Sequence, residues 1–403
     1  MASHVAWLDT SKDEQRTARE IVALFSQKDS VDELGLGQIR DVLSNELFAG
    51  TSVLQTRARY YLFIPWCYQA ASRKGKTGMA LVAQGEANER RLISAMKNAG
   101  LEDTAGLIGS RVGAAIKTLP STMYWNGMIT YDIRQDAPIG SLGSVHEDEQ
   151  STEHLDGLPP EWDAWATQHM PDGFPDEVPG GFALTRDEAE WLRDRMLKAN
   201  GNRVMGKLLT RSEEIPPCAF PWSPEVDLEW SDDDDLGRAY WFSNFMHGSA
   251  LLYNVLIGQR WNDVKREESD DTDLAARFRM MLDEWEEEFL RTEETLTYSG
   301  VDDLLRFVTS KKPNITLRTQ TFVREWVDGA QAAARSGRSV MDDADLRQLV
   351  RVREQRKGRQ SRFNNDKMLD GWEGSGFGQL AYRWGTVRTL VNDIVRGLQN
   401  VDA

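Results

Sequence analysis

Residues 45–66 read N-E-L-F-A-G-T-S-V-L-Q-T-R-A-R-Y-Y-L-F-I-P-W, and they place Arg57 and Arg59 among apolar and aromatic residues. Charged side chains are seldom buried without a partner. On a helix, two residues apart is a rotation of about 200°, so we expect the arginines to point to different faces. Either each pairs with a buried carboxylate, the commoner use of buried arginine, or at least one binds an anionic ligand. The candidate carboxylates are Asp9, Asp32, Glu33 and Asp41.

The same stretch carries helix signals. Gly50 interrupts an apolar pattern, and Thr51 or Ser52 can cap a following helix by accepting hydrogen bonds from its free amides. We predict that this helix runs toward Trp66, with Pro65 as a kink or a stop.

Apolar residues recur at helical spacing along most of the chain, whereas alternating patterns typical of strands are scarce. The sequence therefore predicts a mainly α protein. Thr185 and Glu188 have the spacing of a capping box at the start of one helix. Further helices are predicted at 236–257, 273–297, 301–309, 319–334, 343–357 and 377–398.

Charge is unevenly distributed in a chain of 403 residues with net charge −16. Residues 136–181 hold eleven acidic residues and no Lys or Arg, and a second acidic, Pro-rich connection spans 215–235. We predict two helical units joined by long acidic Pro/Gly-rich loops. The predicted division is a domain at 1–135, a linker at 136–183 and a second domain at 184–403.

Composition sets the broad class. The two cysteines, Cys67 and Cys218, cannot form a disulfide framework or a thiolate metal site, which fits a reducing cytoplasm. The N-terminus lacks the pattern of a signal peptide, and no stretch approaches 18 apolar residues, so we expect a cytoplasmic protein without a membrane span.

Basic residues are concentrated in two regions. Residues 51–100 hold eight Lys or Arg against two Glu, a local charge of +6. Between residues 347 and 362 the only acid is Glu354, and such a stripe can follow a phosphate backbone. The alternative is a solvated helix that docks on the protein's own acidic segments. The basic residues of this run are Arg347, Arg351, Arg353, Arg356, Lys357, Arg359 and Arg362.

Aromatic and amide side chains extend the predicted interface. Trp125 and Asn126 precede Gly127, and this pair could stack on a base and hydrogen-bond to it, or form a core tryptophan beside a turn. Tyr60 joins the interface from the aromatic block, and Arg383 joins it from a second predicted binding region, residues 347–388.

No pattern indicates a metal, a cofactor or a catalytic set. His146 and His154 lie in an acidic stretch without H-E-x-x-H spacing, and His247 lies on an apolar helix as a core histidine would. The glycines of residues 371–378 lack a preceding strand and a G-K-[ST] motif, so we expect a loop that packs under Trp372.

Several motifs together resemble a bacterial family of unknown function. They are W-L-D at 7–9, D-E-L-G at 32–35, I-R-D at 39–41, G-T-S-x-L-Q-T-R-A-R-Y-Y-L-F-x-P-W at 50–66, L-P-S-x-x-Y-W-N-G at 119–127, A-L-L-Y-N at 250–254 and Y-R-W-G-x-V-R at 382–388. The chain departs from the family pattern at Ala49, where a proline is expected. The resemblance implies a protein encoded beside DNA-modification and anti-phage genes, and it implies no catalytic residues.

The sequence thus leads us to expect a component of a bacterial anti-phage system that engages nucleic acid, DNA rather than RNA, through local basic surfaces, with other defence proteins as further partners. Two alternatives stay open. One is a protein–protein adaptor of a defence complex. The other is a nucleic-acid-processing enzyme that uses carboxylates such as Asp9 or Asp41.

Overall fold

The computed structural model describes residues 32–99, 105–134, 170–231, 234–265 and 273–400. Helix makes up 63% of the structure, and these residues contain no strand, which confirms the prediction of a mainly α protein. None of their helices is long and apolar enough to cross a membrane. The candidate carboxylate Asp9 and the acidic stretch that holds His146 and His154 lie outside the described residues.

Thirteen α-helices lie in the described residues. They are α1 (Gly37–Leu47), α2 (Tyr60–Ser72), α3 (Gly78–Asn98), α4 (Pro120–Thr130), α5 (Arg186–Asn200), α6 (Val204–Leu209), α7 (Asp235–Lys265), α8 (Leu274–Trp285), α9 (Glu293–Thr297), α10 (Val301–Lys311), α11 (Leu317–Arg335), α12 (Ala344–Gln355) and α13 (Trp384–Gln399).

The chain forms two compact units, each drawn from separated stretches of sequence. Unit I contains the described residues of Met1–Leu43 and Trp230–Tyr382, and unit II contains those of Ser44–Glu229 and Arg383–Ala403. Neither unit coincides with a contiguous stretch such as 1–135 or 184–403. Most of the predicted linker at 136–183 lies outside the described residues, so its role stays a prediction.

Unit II is built around the aromatic block. Every residue of α2 from Tyr60 to Ala71 is buried, and Pro65 lies inside this helix without ending it. The rings of Tyr60 and Tyr61 both contact Tyr124 of α4, with centroids 5.2 and 5.0 Å apart. A helix buried on all sides forms the centre of its unit, because it has no face left for solvent.

The sequence suggested that this helix is capped by Thr51 or Ser52. In the structure, α2 begins later, at Tyr60. The hydroxyl of Tyr124 accepts hydrogen bonds from the backbone amides of Thr56 and Arg57 and donates one to the Arg57 carbonyl. These bonds satisfy backbone groups that a helix would otherwise satisfy. The preceding residues therefore stay non-helical, and the two arginines do not lie on successive turns of one helix.

The long helix α7 lies at the centre of unit I. Trp241 and Phe245 of α7 pack on Phe289 and on Tyr298, with ring centroids 4.7 to 5.6 Å apart. The indole nitrogen of Trp326, on α11, donates to the Phe245 carbonyl at 2.7 Å. The predicted apolar helix at 236–257 is thus confirmed as the core element of this unit.

The glycine-rich residues 371–378 form a loop in unit I. Gly374 has φ +116°, and a Cβ at this position would meet the ring of Phe278. Trp372 is buried in the same loop, and its ring lies 5.9 Å from that of Phe278. The prediction of a closely packed loop is confirmed.

Candidate nucleic-acid interface

Arg57 is held by protein groups in unit II. Its Nε and Nη2 atoms lie 3.0 Å from Oδ2 and Oδ1 of Asp393, and its Nη1 atom donates to the Ala105 carbonyl at 3.0 Å. The amide of Ala58 donates to the same carboxylate at 2.9 Å. Since this bidentate pair is buried, a phosphate would have to displace Asp393 to reach Arg57.

Arg59 is held in the same way. Its Nη2 atom lies 2.9 Å from Oε1 of Glu188, and its Nη1 atom donates to the carbonyls of Pro179 and Gly181. The other oxygen of Glu188 accepts from the Thr185 amide, and this completes the predicted capping box of α5. The geometry supports the structural interpretation of both arginines.

The carboxylate partners of the two arginines differ from those suggested by the sequence. They are Asp393 and Glu188, and not Asp9, Asp32, Glu33 or Asp41. Both partners lie more than 100 residues further along the chain. No periodicity near the arginines could have identified them, because the pairing is set by tertiary packing.

Three further residues of the predicted interface, Tyr60, Trp125 and Asn126, differ in how far their side chains are exposed. Tyr60 is 1% exposed, and its hydroxyl accepts a hydrogen bond from the Ile108 amide at 2.9 Å. The guanidinium carbon of Arg134 lies 3.5 Å from the ring centroid of Trp125, so one face of that ring is covered. Asn126 is exposed on α4. Tyr60 is therefore closed to a ligand, Trp125 is half-buried, and Asn126 is open to a ligand.

In the basic run, residues 347–362, some side chains bind groups within unit I and others are directed toward solvent. Lys357 forms ion pairs with Glu33 and with Glu354, and Arg362 donates to Glu33 and to the Tyr253 hydroxyl at 2.7 Å each. Burial acts to raise the pKa of Glu33, but the charge of Lys357, hydrogen bonds from Lys357 and Ser375, and the charge of Arg362 lower it below its usual value. Lys357 and Arg362 therefore neutralise a buried carboxylate of unit I.

Arg353 is also engaged within unit I. Its Nε atom donates to the Leu34 carbonyl at 2.7 Å, and its Nη2 atom donates to Thr319 Oγ1 at 3.0 Å and to the Gly35 carbonyl at 3.2 Å. No carboxylate takes part in these bonds. The positive charge of Arg353 therefore contributes to the surface on which it lies.

The outward members are Arg351, Arg356 and Arg359. Arg351 lies over the ring of Phe363, with its guanidinium carbon 5.1 Å from the centroid. Arg356 and Arg359 are exposed, and neither forms an ion pair with any described residue. Arg383 belongs to unit II, where it donates to Asn45 Oδ1 at 2.9 Å and to the Thr51 carbonyl at 2.7 Å.

A groove in unit I lies between α11 and α12, and we call it the α11–α12 groove. Its volume is about 340 Å³. Three arginines line it, Arg318, Arg353 and Arg356, and Glu325 is the one acidic residue among the lining residues. Its remaining walls are Leu317, Thr321, Phe322, Leu349 and Val352.

Arg318 is the member of the groove that sequence reasoning missed. It is exposed in the first turn of α11 and, within the described part of the chain, has no carboxylate partner. A lone arginine between Leu317 and Thr319 gives no pattern in the sequence. Only the packing of α11 on α12 brings it to the same groove as Arg356.

The chemistry of the groove is that of anion recognition. Guanidinium groups donate several hydrogen bonds in a planar fork that matches phosphate oxygens. The lining contains no histidine, cysteine or serine that could act as a nucleophile or base. The groove can therefore bind a phosphate.

Comparison with known proteins agrees with the resemblance noted in the sequence. No curated protein and no solved structure compared with the chain shows significant similarity to it. A protein-family model matches residues 2–396, nearly the whole chain. The chain thus belongs to DUF6361, a family of unknown function.

Proposed function

We propose that this protein is a component of a bacterial anti-phage defence system and engages nucleic acid through the α11–α12 groove and the adjacent Arg359. The observation that carries the proposal is the exposure of Arg318 and Arg356 in one groove without a carboxylate partner among the described residues. In a chain of net charge −16, arginines left unpaired on a shared surface are the feature that calls for an anionic partner.

Arg353 supports the same groove from its wall. Its hydrogen bonds go to carbonyl and hydroxyl oxygens, and it forms no ion pair with a described residue, although the charge of Asp32 acts on it. The groove thus combines three positive charges with one negative charge from Glu325. Phosphate groups of DNA or RNA are the anions that such a surface binds, and we favour DNA because of the expected genomic setting beside DNA-modification genes.

The buried arginines of unit II are not part of the proposed interface. Arg57 and Arg59 are held by Asp393, Glu188 and backbone carbonyls. Binding a ligand there would require the loss of a buried ion pair, which is strongly unfavourable. We therefore restrict the interface in this proposal to unit I.

A second candidate function is a protein–protein adaptor, and the floor of the same groove favours it. Leu317 is 72% exposed, and Leu349 and Val352 lie beside it. An apolar floor with a basic rim fits an acidic partner protein that inserts an apolar side chain. The enzyme alternative has no comparable support, because Asp41 is ion-paired with Arg40 and Asp9 lies outside the described residues.

Fluorescence anisotropy with labelled duplex DNA, single-stranded DNA and RNA tests the proposal. The groove variant carries Arg318→Gln, Arg356→Gln and Arg359→Gln. The control variant carries Arg186→Gln, Arg193→Gln and Lys198→Gln on α5, and it loses the same charge from a surface outside the groove. We expect the groove variant to lose affinity for nucleic acid and the control to keep it.

The same variants separate the two candidate functions in cells. Phage plating on bacteria that express the complete defence system should rise with the groove variant and stay low with the control. Equal nucleic-acid affinity of both variants and the parent, together with loss of defence only in the groove variant, would reject the nucleic-acid proposal and favour the adaptor.

A further inference from the structure

A second cavity in unit I lies apart from the lining of the α11–α12 groove. Its volume is about 70 Å³, and about 590 Å³ of empty space when its open mouth is included. One wall is α7, with Met246, Ala250 and Tyr253, and the glycine-rich loop supplies Gly376 and Gly378. Pockets that hold small molecules combine apolar walls with a few polar groups, as this cavity does.

The polar groups of this cavity comprise acceptors and donors. Both carboxylate oxygens of Asp32 accept backbone amides of the α1 N-terminus, from Leu36 at 2.6 Å and from Gly37 at 2.7 Å, and each oxygen keeps a further lone pair. Arg40 directs its Nε and Nη2 atoms to Asp41, which leaves N–H donors at Nη1. The carboxylate of Asp32 is therefore fixed in place before any ligand arrives.

His247 adds a neutral ring to the same wall. Burial lowers its pKa to about 4, although a hydrogen bond with the Phe377 backbone opposes this change. The imidazole is thus uncharged at neutral pH and offers one acceptor nitrogen beside its donor. A neutral imidazole does not attract anions, which distinguishes this cavity from the groove.

The remaining acid of the cavity is already neutralised. Glu33 accepts from Ser375 Oγ at 2.6 Å and from Arg362 at 2.7 Å, and it forms an ion pair with Lys357. The negative charge of Glu33 is already offset by Arg362 and Lys357. A cationic ligand would therefore add an uncompensated positive charge. The carboxylate that remains for a ligand is that of Asp32, with the guanidinium of Arg40 as its counterpart.

We propose that this cavity binds a guanine base. A carboxylate pairs best with two adjacent N–H donors, and among the common bases guanine alone presents them, at N1 and N2. Its O6 and N7 atoms are the acceptors that arginine recognises most often. Asp32 is exposed at the mouth of the cavity and meets the edge of the base there, the walls from α7 take the ring, and the open mouth leaves room for a sugar and phosphate. The base can come from a free nucleoside or from a nucleic-acid strand.

Calorimetric titration of the full chain with guanosine, inosine and adenosine tests this assignment. Inosine lacks the N2 amino group, so one lone pair of Asp32 loses its donor, and we expect it to bind at least about tenfold more weakly than guanosine. Adenosine places an acceptor beside its amino group and should bind still more weakly. Equal binding of the three nucleosides would overturn the assignment.

Two pairs of variants locate the binding. Asp32→Asn keeps one acceptor oxygen for the amides at the start of α1 and removes the other, and Asp343→Asn removes one carboxylate oxygen at the cap of α12, outside the cavity, where a single oxygen accepts both amides. Ala250→Leu fills the cavity from α7, and Ala332→Leu adds the same bulk to the exposed face of α11. We expect the first member of each pair to lose guanosine binding and the second to keep it.

Oligonucleotides distinguish the two sources of the base. Binding of guanosine assigns the cavity to free nucleosides or nucleotides. Binding of a dG-containing single strand, but not of guanosine or of an oligo-dT strand, assigns it to nucleic acid and supports the same base chemistry, provided that Asp32→Asn abolishes it. If neither probe binds at millimolar concentration, or if Asp32→Asn binds as tightly as the parent, the proposal is wrong.

Discussion

At the scale of single residues, buried charges decide the stability of unit II. Arg57 and Asp393 form a bidentate pair with side-chain exposures of 8% and 2%. Such a pair balances two desolvated charges, and removal of one partner leaves the other without compensation. The ion pairs on the surface of α5, such as Arg186 with Glu190, contribute much less to stability because water screens them.

We predict that Arg57→Ala lowers the free energy of unfolding by about 3–5 kcal/mol, because it strands the buried Asp393 carboxylate. Arg186→Ala should lower it by less than about 1 kcal/mol. Urea denaturation of both variants measures the difference. A loss of less than about 1 kcal/mol in Arg57→Ala would show that the pair is not structural.

Glu89 is a second buried residue whose ionisation affects the stability of the protein. It is fully buried, and its carboxylate accepts from the Ser121 amide at 2.8 Å and from the Tyr68 hydroxyl at 3.3 Å. Burial raises its pKa to about 7, although these hydrogen bonds act to lower it. At pH 5 the side chain is therefore protonated in the folded protein and largely ionised in the unfolded chain.

The sign of the pH effect follows from this difference. Between pH 4.5 and 7 the folded protein binds more protons at Glu89 than the unfolded chain does, so its contribution to stability falls as the pH rises. The loss amounts to about 3 kcal/mol, at about 1.4 kcal/mol per pH unit. We predict that Glu89→Gln removes this loss, so that its unfolding free energy relative to the parent is higher at pH 8 than at pH 5. A parent–variant difference that does not change with pH would contradict the prediction.

At the scale of elements, the position of each helix start depends on long-range bonds. The Tyr124 hydroxyl makes three hydrogen bonds with the backbone of Thr56 and Arg57, and α2 begins only after them. Tyr61, by contrast, donates from its hydroxyl to a single carbonyl, that of Gly50, at 3.2 Å. The two tyrosines are therefore a matched pair for measuring what the backbone bonds contribute.

We predict that Tyr124→Phe lowers the free energy of unfolding by about 3 kcal/mol, because it leaves buried backbone groups without partners. Tyr61→Phe should cost less, about 1–2 kcal/mol, since its hydroxyl bonds with one backbone carbonyl and otherwise with the side chains of Tyr131 and Gln55. Thermal or chemical unfolding of the two variants compares them directly. Equal losses would mean that the Tyr124 hydroxyl does not hold the start of α2.

The sequence was informative about helices whose signals are local. The capping box of Thr185 and Glu188 and the apolar face of α7 were both predictable, because each depends on residues within a few turns. The start of α2 was not predictable, because it depends on Tyr124, which lies 67 residues beyond Arg57. Nor was the π-helical turn Glu286–Leu290 after α8, where the Glu286 carboxylate accepts from Ser339 and Val340.

The candidate site shows the same limit. The basic run at 347–362 was visible in the sequence, but the pattern could not separate Lys357 and Arg362, which neutralise Glu33, from Arg356 and Arg359, which are exposed. The contribution of Arg318 to the groove came from another helix. Helical spacing identifies a face, whereas the presence of a carboxylate against that face is a property of the folded unit.

At the scale of the whole molecule, acidic composition and a local basic groove act together. A net charge of −16 repels nucleic acid at long range, so the proposed function requires a surface where arginines are concentrated. The α11–α12 groove is such a surface in unit I. The expected result is weak nonspecific binding and an affinity that depends strongly on a few contacts.

The measurement that tests this account most directly is the salt dependence of nucleic-acid affinity in the groove variant, with Arg318, Arg356 and Arg359 changed to Gln. Each phosphate contact contributes about −0.9 to the slope of log affinity against log salt on duplex DNA and about −0.7 on single strands. We predict a slope that is shallower than that of the parent by about two to three units, with the α5 control unchanged. A groove variant that folds normally and keeps the slope of the parent would contradict the proposed role of the groove.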